Sequence, residues 1–219
     1  GLEAESCQII ELAAIRVEKT ERGTLRMADS ADMFVKLPEG ERIPQKIVEL
    51  TGITDEQLEN EGITETEAAA RFTELIGGDR VLLVAHNAQF DLLFTAEMLR
   101  RHGNSGPEAL KAADYLDSLT VYKDRRAYPH KLANAIEHYG LADKVQNSHR
   151  AIDDVLALYE VTKAMSEERD DLTDYIDLLG YNPKYGITGR KLRQITYMPQ
   201  SYKLGCRLPD LMNGGGSCE

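Results

Sequence analysis

Two stretches place carboxylates where a helix should place apolar side chains. In "NSHRAIDDVLALYEVTKAM" (147–165), a wheel at ~100° per residue sets Asp153 on the solvated arc of Glu160 and Lys163, whereas Asp154 falls among Leu158, Val161 and Met165. In "AHNAQFDLLFTAEML" (85–99), a helix beginning near Ala88 sets Asp91 with Phe94, Met98 and Leu99, and Glu97 and Arg100 elsewhere. A carboxylate on an apolar stripe costs several kcal/mol unless it is paired or bound to a metal. Either aspartate alone fits a helix-start acid answered by backbone N–H groups. Two of them on separate helices, each preceded by a loop histidine (His86 and His149), fit a metal site, and oxygen ligands favour Mg²⁺ or Mn²⁺ over zinc. His149 stands five residues before Asp154, off its face and in the loop that enters the helix, with Asn147 or Ser148 near the cap.

These residues need elements to hold them. "VLLVAH" (81–86) is a continuous apolar run, as expected of a strand covered on both faces, and it delivers His86 and Asn87 at its end. Helices are expected over about 88–102 and 150–168. Upstream, Ile9, Ile10, Leu12, Ile15 and Val17 mark a strand over 8–17 buried on at least one face. It turns at "ERG" (21–23) and pairs with a strand ending in "MFVKL" (33–37). "IPQKIVELTGITDEQL" (43–58) reads as two short helices broken at Gly52, with Thr54 as N-cap ahead of Asp55 and Glu56. "TETEAAARFTELIGG" (64–78) reads as a helix with an acidic first turn and a glycine stop. "ADYLDSLTVY" (113–122) is a strand leading into a helix, and "HKLANAIEHYG" (130–140) a further helix. Helices alternating with buried strands indicate an α/β chain with a mixed central β-sheet flanked by helices.

The bulk numbers suit a globular protein: 219 residues, 42% hydrophobic and 29% charged. No apolar run approaches the ~20 residues of a membrane span. The three cysteines are scattered and lack CxxC spacing, which argues for a reducing, cytoplasmic setting and against a disulfide framework or zinc site. The net charge of −11 is unevenly spread. Between Asp177 and Asp210 there is no acid, while Lys184, Arg190, Lys191, Arg193, Lys203 and Arg207 make the segment locally +6. Tyr181, Tyr185, Tyr197 and Tyr202 are interleaved with them. Cations with aromatics are what a single-stranded nucleic acid needs; a basic tail packing on an acidic domain is the other reading. One domain over 1–168 and a basic, tyrosine-rich extension over 169–219 are expected.

"HNAQFD" (86–91) and "HRAIDD" (149–154) resemble the second and third motifs of the DEDDh 3′→5′ exonucleases, the RNase H-like family that includes the epsilon subunit and the exonuclease domain of bacterial replicative polymerases. "IPQKIVELTGITDEQL" is similar to that family's segment between its second and third strands. The resemblance runs from Gly1 to about Met165. Its second motif supplies Asp91, and its third supplies His149 and Asp154. The family's first motif is a strand ending in D-x-E-T-T-G, of which only Gly1 and Leu2 stand here. On this reading the RNase H-like fold lacks its first strand in this chain. Two of four metal-binding carboxylates then lie upstream, and the fragment by itself is expected to be inactive.

For the intact protein the resemblance implies two divalent ions, Mg²⁺ or Mn²⁺, held by Asp91 and Asp154 with the upstream acids. His149 would take the proton of the attacking water, a role suited to imidazole, whose ordinary pKa is about 6.5. Leu2 would wedge a terminal base. Asn87 and Phe90 would shape the same pocket, unless Phe90 is plain core. Thr51 and Gly52 read equally as a substrate-facing loop or a simple helix–helix turn. The expected substrate is the 3′ end of single-stranded DNA, with RNA as the near alternative and a polymerase subunit as a possible partner. A non-catalytic module that binds nucleic acid or a polymerase is the competing class.

Overall fold

The computed structural model describes residues 3–77, 80–102, 106–145, 150–200 and 206–212; Leu2 and His149 lie outside them. The chain divides into two units. The first comprises Gly1–Asp79, Phe94–Leu110 and Gln146–Leu156, and the second Arg80–Leu93, Lys111–Val145 and Ala157–Glu219.

In the first unit, β1 (Glu11–Lys19) pairs antiparallel with β2 (Leu25–Phe34). The ends of the hairpin are tied by Thr20, whose N–H donates to the Thr24 carbonyl at 2.8 Å and whose carbonyl accepts from Gly23. Two short helices follow, α1 (Gln45–Thr51) and α2 (Asp55–Glu61). Gly52 ends the first in the left-handed region (φ 74°), a conformation that glycine adopts without a Cβ penalty. Thr54 caps the second through the Gln57 N–H. Ile43, Ile53 and Leu58 bury together, with Ile10, Phe34, Leu37, Ile47 and Val48 packed around them. α3 (Glu65–Ile76) carries the full capping box, Thr64 and Glu67 exchanging hydrogen bonds.

The second unit begins with β3 (Leu82–Ala85), which leads into α4 (Ala88–Arg101). After α5 (Gly106–Ala112), β4 (Asp114–Asp117) pairs parallel with β3 and runs directly into α6 (Ser118–Arg125). Then come α7 (Leu132–His138) and α8 (Ala151–Glu168); unit boundaries fall within α4, α5 and α8. A 3-10 turn (Leu172–Tyr175) leads to β5 (Leu178–Tyr181), β6 (Thr196–Pro199) and α9 (Leu208–Met212). β5 and β6 pair in parallel.

The main core of this unit joins Leu116, Val121, Tyr122, Ile136, Val161, Met165, Tyr175, Leu178 and Leu208. A second cluster joins Ala88, Leu92, Tyr115, Leu179 and Ile195. Residues beyond 168 thus supply Tyr175, Leu178, Leu179, Ile195 and Leu208 to these cores, although the segment was read as a basic, tyrosine-rich extension.

The chain is α/β with parallel and antiparallel pairing, and among the described residues its strands form three two-stranded ladders. β3 is less covered than its apolar run implies: Leu82 is 44% exposed, because a four-residue strand paired on one side leaves its outer positions open. Cys206 is disulfide-bonded, against the expectation from the scattered cysteines, and Cys7 is a free thiol. No helix among the described residues is long and apolar enough to cross a membrane.

Candidate active site

The start of α4 is set by a single buried carboxylate. Asp117 closes β4 and is 5% exposed. Its Oδ1 accepts the Asn87 N–H at 2.8 Å, the Ala88 N–H at 3.1 Å and the Leu119 N–H at 3.2 Å. Its Oδ2 accepts the Thr120 hydroxyl at 2.7 Å. One side chain therefore answers the first amides of α4 and caps α6, where partial positive charge gathers at the helix N-termini. Asn87 bridges strand and helix at φ 76°, a left-handed conformation that asparagine tolerates better than most side chains. His86 reinforces the corner: its Nε2–H donates to the His130 carbonyl (2.9 Å) and its Nδ1 is hydrogen-bonded with the Ser118 hydroxyl (2.9 Å). Burial holds the His86 pKa below the ordinary imidazole value.

The first turn of α4 then presents three of the expected site residues together. Asn87, Phe90 and Asp91 are all exposed, Phe90 at 38%. Phe90 is therefore not core. Asp91 is not on the buried stripe either, although Phe94, Met98 and Leu99 of the same wheel arc are buried. The cause is its place in the helix: Cα–Cβ bonds tilt toward the N-terminus, so a first-turn side chain projects past the layer that covers later turns.

The start of α8, in the first unit, has a carboxylate of its own. The Glu11 side chain is 5% exposed; its Oε2 accepts the Ala151 N–H at 3.0 Å and its Oε1 the Arg150 Nε–H at 2.8 Å. The Arg150 guanidinium lies over the Phe34 ring, 4.8 Å from its centroid. The Asp154 N–H donates to the Arg150 carbonyl, closing the first turn. Asp154 is half-buried, with Oδ1 shielded from solvent. Thr51 and Gly52 form the α1–α2 turn, where the Thr51 hydroxyl donates to the Ile47 carbonyl (2.8 Å) and accepts the Ile53 N–H (3.2 Å).

Asp91 belongs to the second unit and Asp154 to the first, each placed within its own unit. Sequence reasoning passed over Asp117 and Glu11, the two acids that set these helix starts. The signal for Asp117 was present, since an aspartate followed by serine between strand and helix is a capping pattern. Glu11 had no local signal, because its partners lie 139 and 140 residues away. Among the described residues no three His, Cys, Asp or Glu side chains gather into a group able to hold a metal. Asp91 and Asp154, each in its own unit, carry carboxylate oxygens, the donor chemistry that suits Mg²⁺ or Mn²⁺ over zinc.

A model of the RNase_T family, described as exonucleases, matches residues 1–162. Among curated proteins, the DNA polymerase III PolC-type of Clostridium perfringens is 32% identical over 189 residues, covering 84% of this chain and 12% of that protein. The PolC-type polymerase of Staphylococcus epidermidis is 31% identical over 173 residues, covering 78% and 11%. The chain thus spans about an eighth of the length of these relatives. Among solved structures, E. coli exonuclease I in complex with a dT13 oligonucleotide superposes with a TM-score of 0.68 at 20% identity, over 80% of this chain and 40% of that one. The zinc-bound form of the E. coli exonuclease I complex with single-stranded DNA gives 0.64 at 19%, over the same shares. These structural likenesses carry the fold.

Proposed function

Because the chain belongs to the RNase_T exonuclease family, with the DEDDh-type motifs and the RNase H-like fold, we propose that it acts as a metal-dependent 3′→5′ exonuclease on single-stranded DNA ends. The observation that carries this reading is the first turn of α4. There a carboxylate (Asp91), an apolar ring (Phe90) and a polar amide (Asn87) stand exposed on a backbone pinned by Asp117. A terminal nucleotide has the matching parts, an anionic phosphodiester beside a flat base.

Asp91 and Asp154 would each hold divalent metal, which supplies charge neutralisation at the scissile phosphate and a water ready to attack at neutral pH. The chain's own work is positional. Asp117 holds the turn that bears Asp91, and Glu11 holds the first turn of α8 that bears Asp154, so neither carboxylate has to be ordered when substrate binds. His149, outside the described residues, is assigned the proton of the attacking water. Phe90 packs against the terminal base and Asn87 reaches its polar edge or sugar; Leu2, Thr51 and Gly52, in the first unit, are assigned to substrate contact there.

The test uses the full-length natural gene product and a DNA oligonucleotide labelled at its 3′ end. Release of the terminal nucleotide should require Mg²⁺ or Mn²⁺, stop in EDTA, and fall by at least ~10²-fold in Asp91→Asn, more than the usual loss for a residue behind the ligands. Release that persists in EDTA, or that Asp91→Asn and Asp154→Asn both leave intact, overturns the reading. Running an RNA oligonucleotide of the same sequence in parallel decides the sugar preference, which turns on contacts to the 2′-OH.

A further inference from the structure

In an acidic chain, the loop between β5 and β6 stands out. Lys184, Arg190, Lys191 and Arg193 are all exposed, and among the described residues none of them pairs with a carboxylate. Arg207, the other described cation of the acid-free segment, is engaged by Asp171, Asp174 and Asp210. Tyr185 is 75% exposed, with the Lys184 Nζ 5.2 Å from its ring centroid.

The loop is ordered locally. The Asn182 side chain accepts the Lys184 N–H at 2.9 Å, and its carbonyl accepts from Tyr185 and Gly186. Its far end is tied by the Leu192 N–H to the Tyr197 hydroxyl (3.0 Å) and by buried Ile195.

Its position gives the charge a meaning. Gln89, in the first turn of α4, donates its Nε2–H to the Arg190 carbonyl at 3.3 Å. Gly189 lies so close to α4 that a Cβ there would stand 2.5 Å from Leu93 Cδ1, and its φ of 76° also favours glycine. The cationic loop is thus laid against the helical turn that presents Phe90 and Asp91.

We propose that residues 182–193 form a docking arm for the phosphate backbone of a single-stranded nucleic acid, delivering the strand to the first turn of α4. The inference rests on the reading of that turn as a nuclease site, and it adds the surface that grips the strand. Four exposed cations without a carboxylate partner among the described residues, two of them set over tyrosine rings, suit phosphates alternating with bases. An acidic peptide would use the cations but leave Tyr185 and Phe90 without flat partners.

The experiment measures binding of a fluorescein-labelled dT oligonucleotide by anisotropy, in EDTA, over a KCl series. Neutralising four phosphate contacts on a single strand contributes about 2.8 to the slope of log affinity against log salt. The variant with Lys184, Arg190, Lys191 and Arg193 each replaced by Ala should lose most of that slope. A control with Lys19, Arg22, Arg26 and Lys46 replaced by Ala carries the same change in net charge and should keep it. In the unsubstituted chain, dT should also protect Lys184 and Lys191 from acetylation, a readout that does not depend on any variant folding.

Unchanged slope in the first variant, equal loss in both, or no protection overturns the arm. So does competition by polyglutamate at equal charge as effective as dT, which assigns the loop to an acidic protein. If the arm binds as expected while the full-length product releases no nucleotide, the docking surface stands and the nuclease reading fails.

Discussion

Replacing Asp117 by alanine removes one small side chain and four hydrogen bonds. Three are the amides of Asn87, Ala88 and Leu119, and the fourth is the Thr120 hydroxyl. At a net worth of about 1 kcal/mol per bond, the loss is ~4 kcal/mol. Helices α4 and α6 lose their start together. For a chain of this size, where 1 kcal/mol moves the midpoint by about 2–4 °C, the thermal transition should fall by roughly 8–16 °C. Asp117→Asn keeps an acceptor for the amides but sets an NH₂ group against Thr120. That hydroxyl, which also receives the Gly180 N–H at 3.0 Å, then faces a donor where it had an acceptor, and its own proton is left without a partner. The expected cost is ~1–2 kcal/mol, the usual cost of one mismatched buried polar contact. Urea denaturation of the two variants and the parent measures the difference, and amide hydrogen exchange at Asn87 and Ala88 locates it. A loss under ~1 kcal/mol for Asp117→Ala, within the scatter of ordinary substitutions, would refute the reasoning. Equal losses for alanine and asparagine would refute it too, because the argument depends on the number of bonds answered.

Glu11→Ala should cost about 2 kcal/mol, from two charge-assisted bonds at a helix N-terminus, and should speed hydrogen exchange at Ala151; an unchanged Ala151 amide would remove Glu11 from that role. His86 carries a pH signature. Burial lowers its folded pKa, so above about 6.5 the contribution is fully present, and below it the unfolded chain binds more protons and stability falls as pH drops toward the folded pKa. Urea midpoints taken across pH 5–8 should show this slope in the parent and not in His86→Gln; identical slopes would assign the acid sensitivity to other groups. His149→Ala should leave Mn²⁺ affinity by titration calorimetry nearly intact while cutting turnover ~10²–10⁴-fold, the range for a lost general base. Loss of metal affinity as well would make His149 a ligand instead.

Most elements were legible from local chemistry. Thr54, Thr64, Gly52 and Gly77 mark helix ends through bonds that span three or four residues, and such bonds can be read from a short window. The β1–β2 hairpin follows for the same reason, since its strands are joined by five residues. The motifs "HNAQFD" and "HRAIDD" were equally visible, because residue type and spacing carry them. The strands after residue 168 escaped notice. Leu178 and Leu179 stand in a short run bounded by Asp177 and Gly180, and Ile195 follows a cationic stretch; only parallel pairing of β5 with β6 and packing on Tyr115, Leu116 and Val121 makes them core.

What the sequence determined by itself is the inventory: α/β layering, two aspartates at helix starts, a cationic tyrosine-rich segment and the family those residues belong to. Tertiary structure alone decided how they are used. It exposed Asp91, which the wheel had turned inward. It set Asp117 and Glu11 under the two helix starts, and it laid the Lys184–Arg193 loop against α4. The physical reason is separation along the chain. A helical wheel knows the direction of a side chain but not what covers it; Asp117 showed locally as the cap of α6 but not as the anchor of α4, 29 and 30 residues away, and Glu11's partners, 139 and 140 residues away, leave no trace in the residues around it.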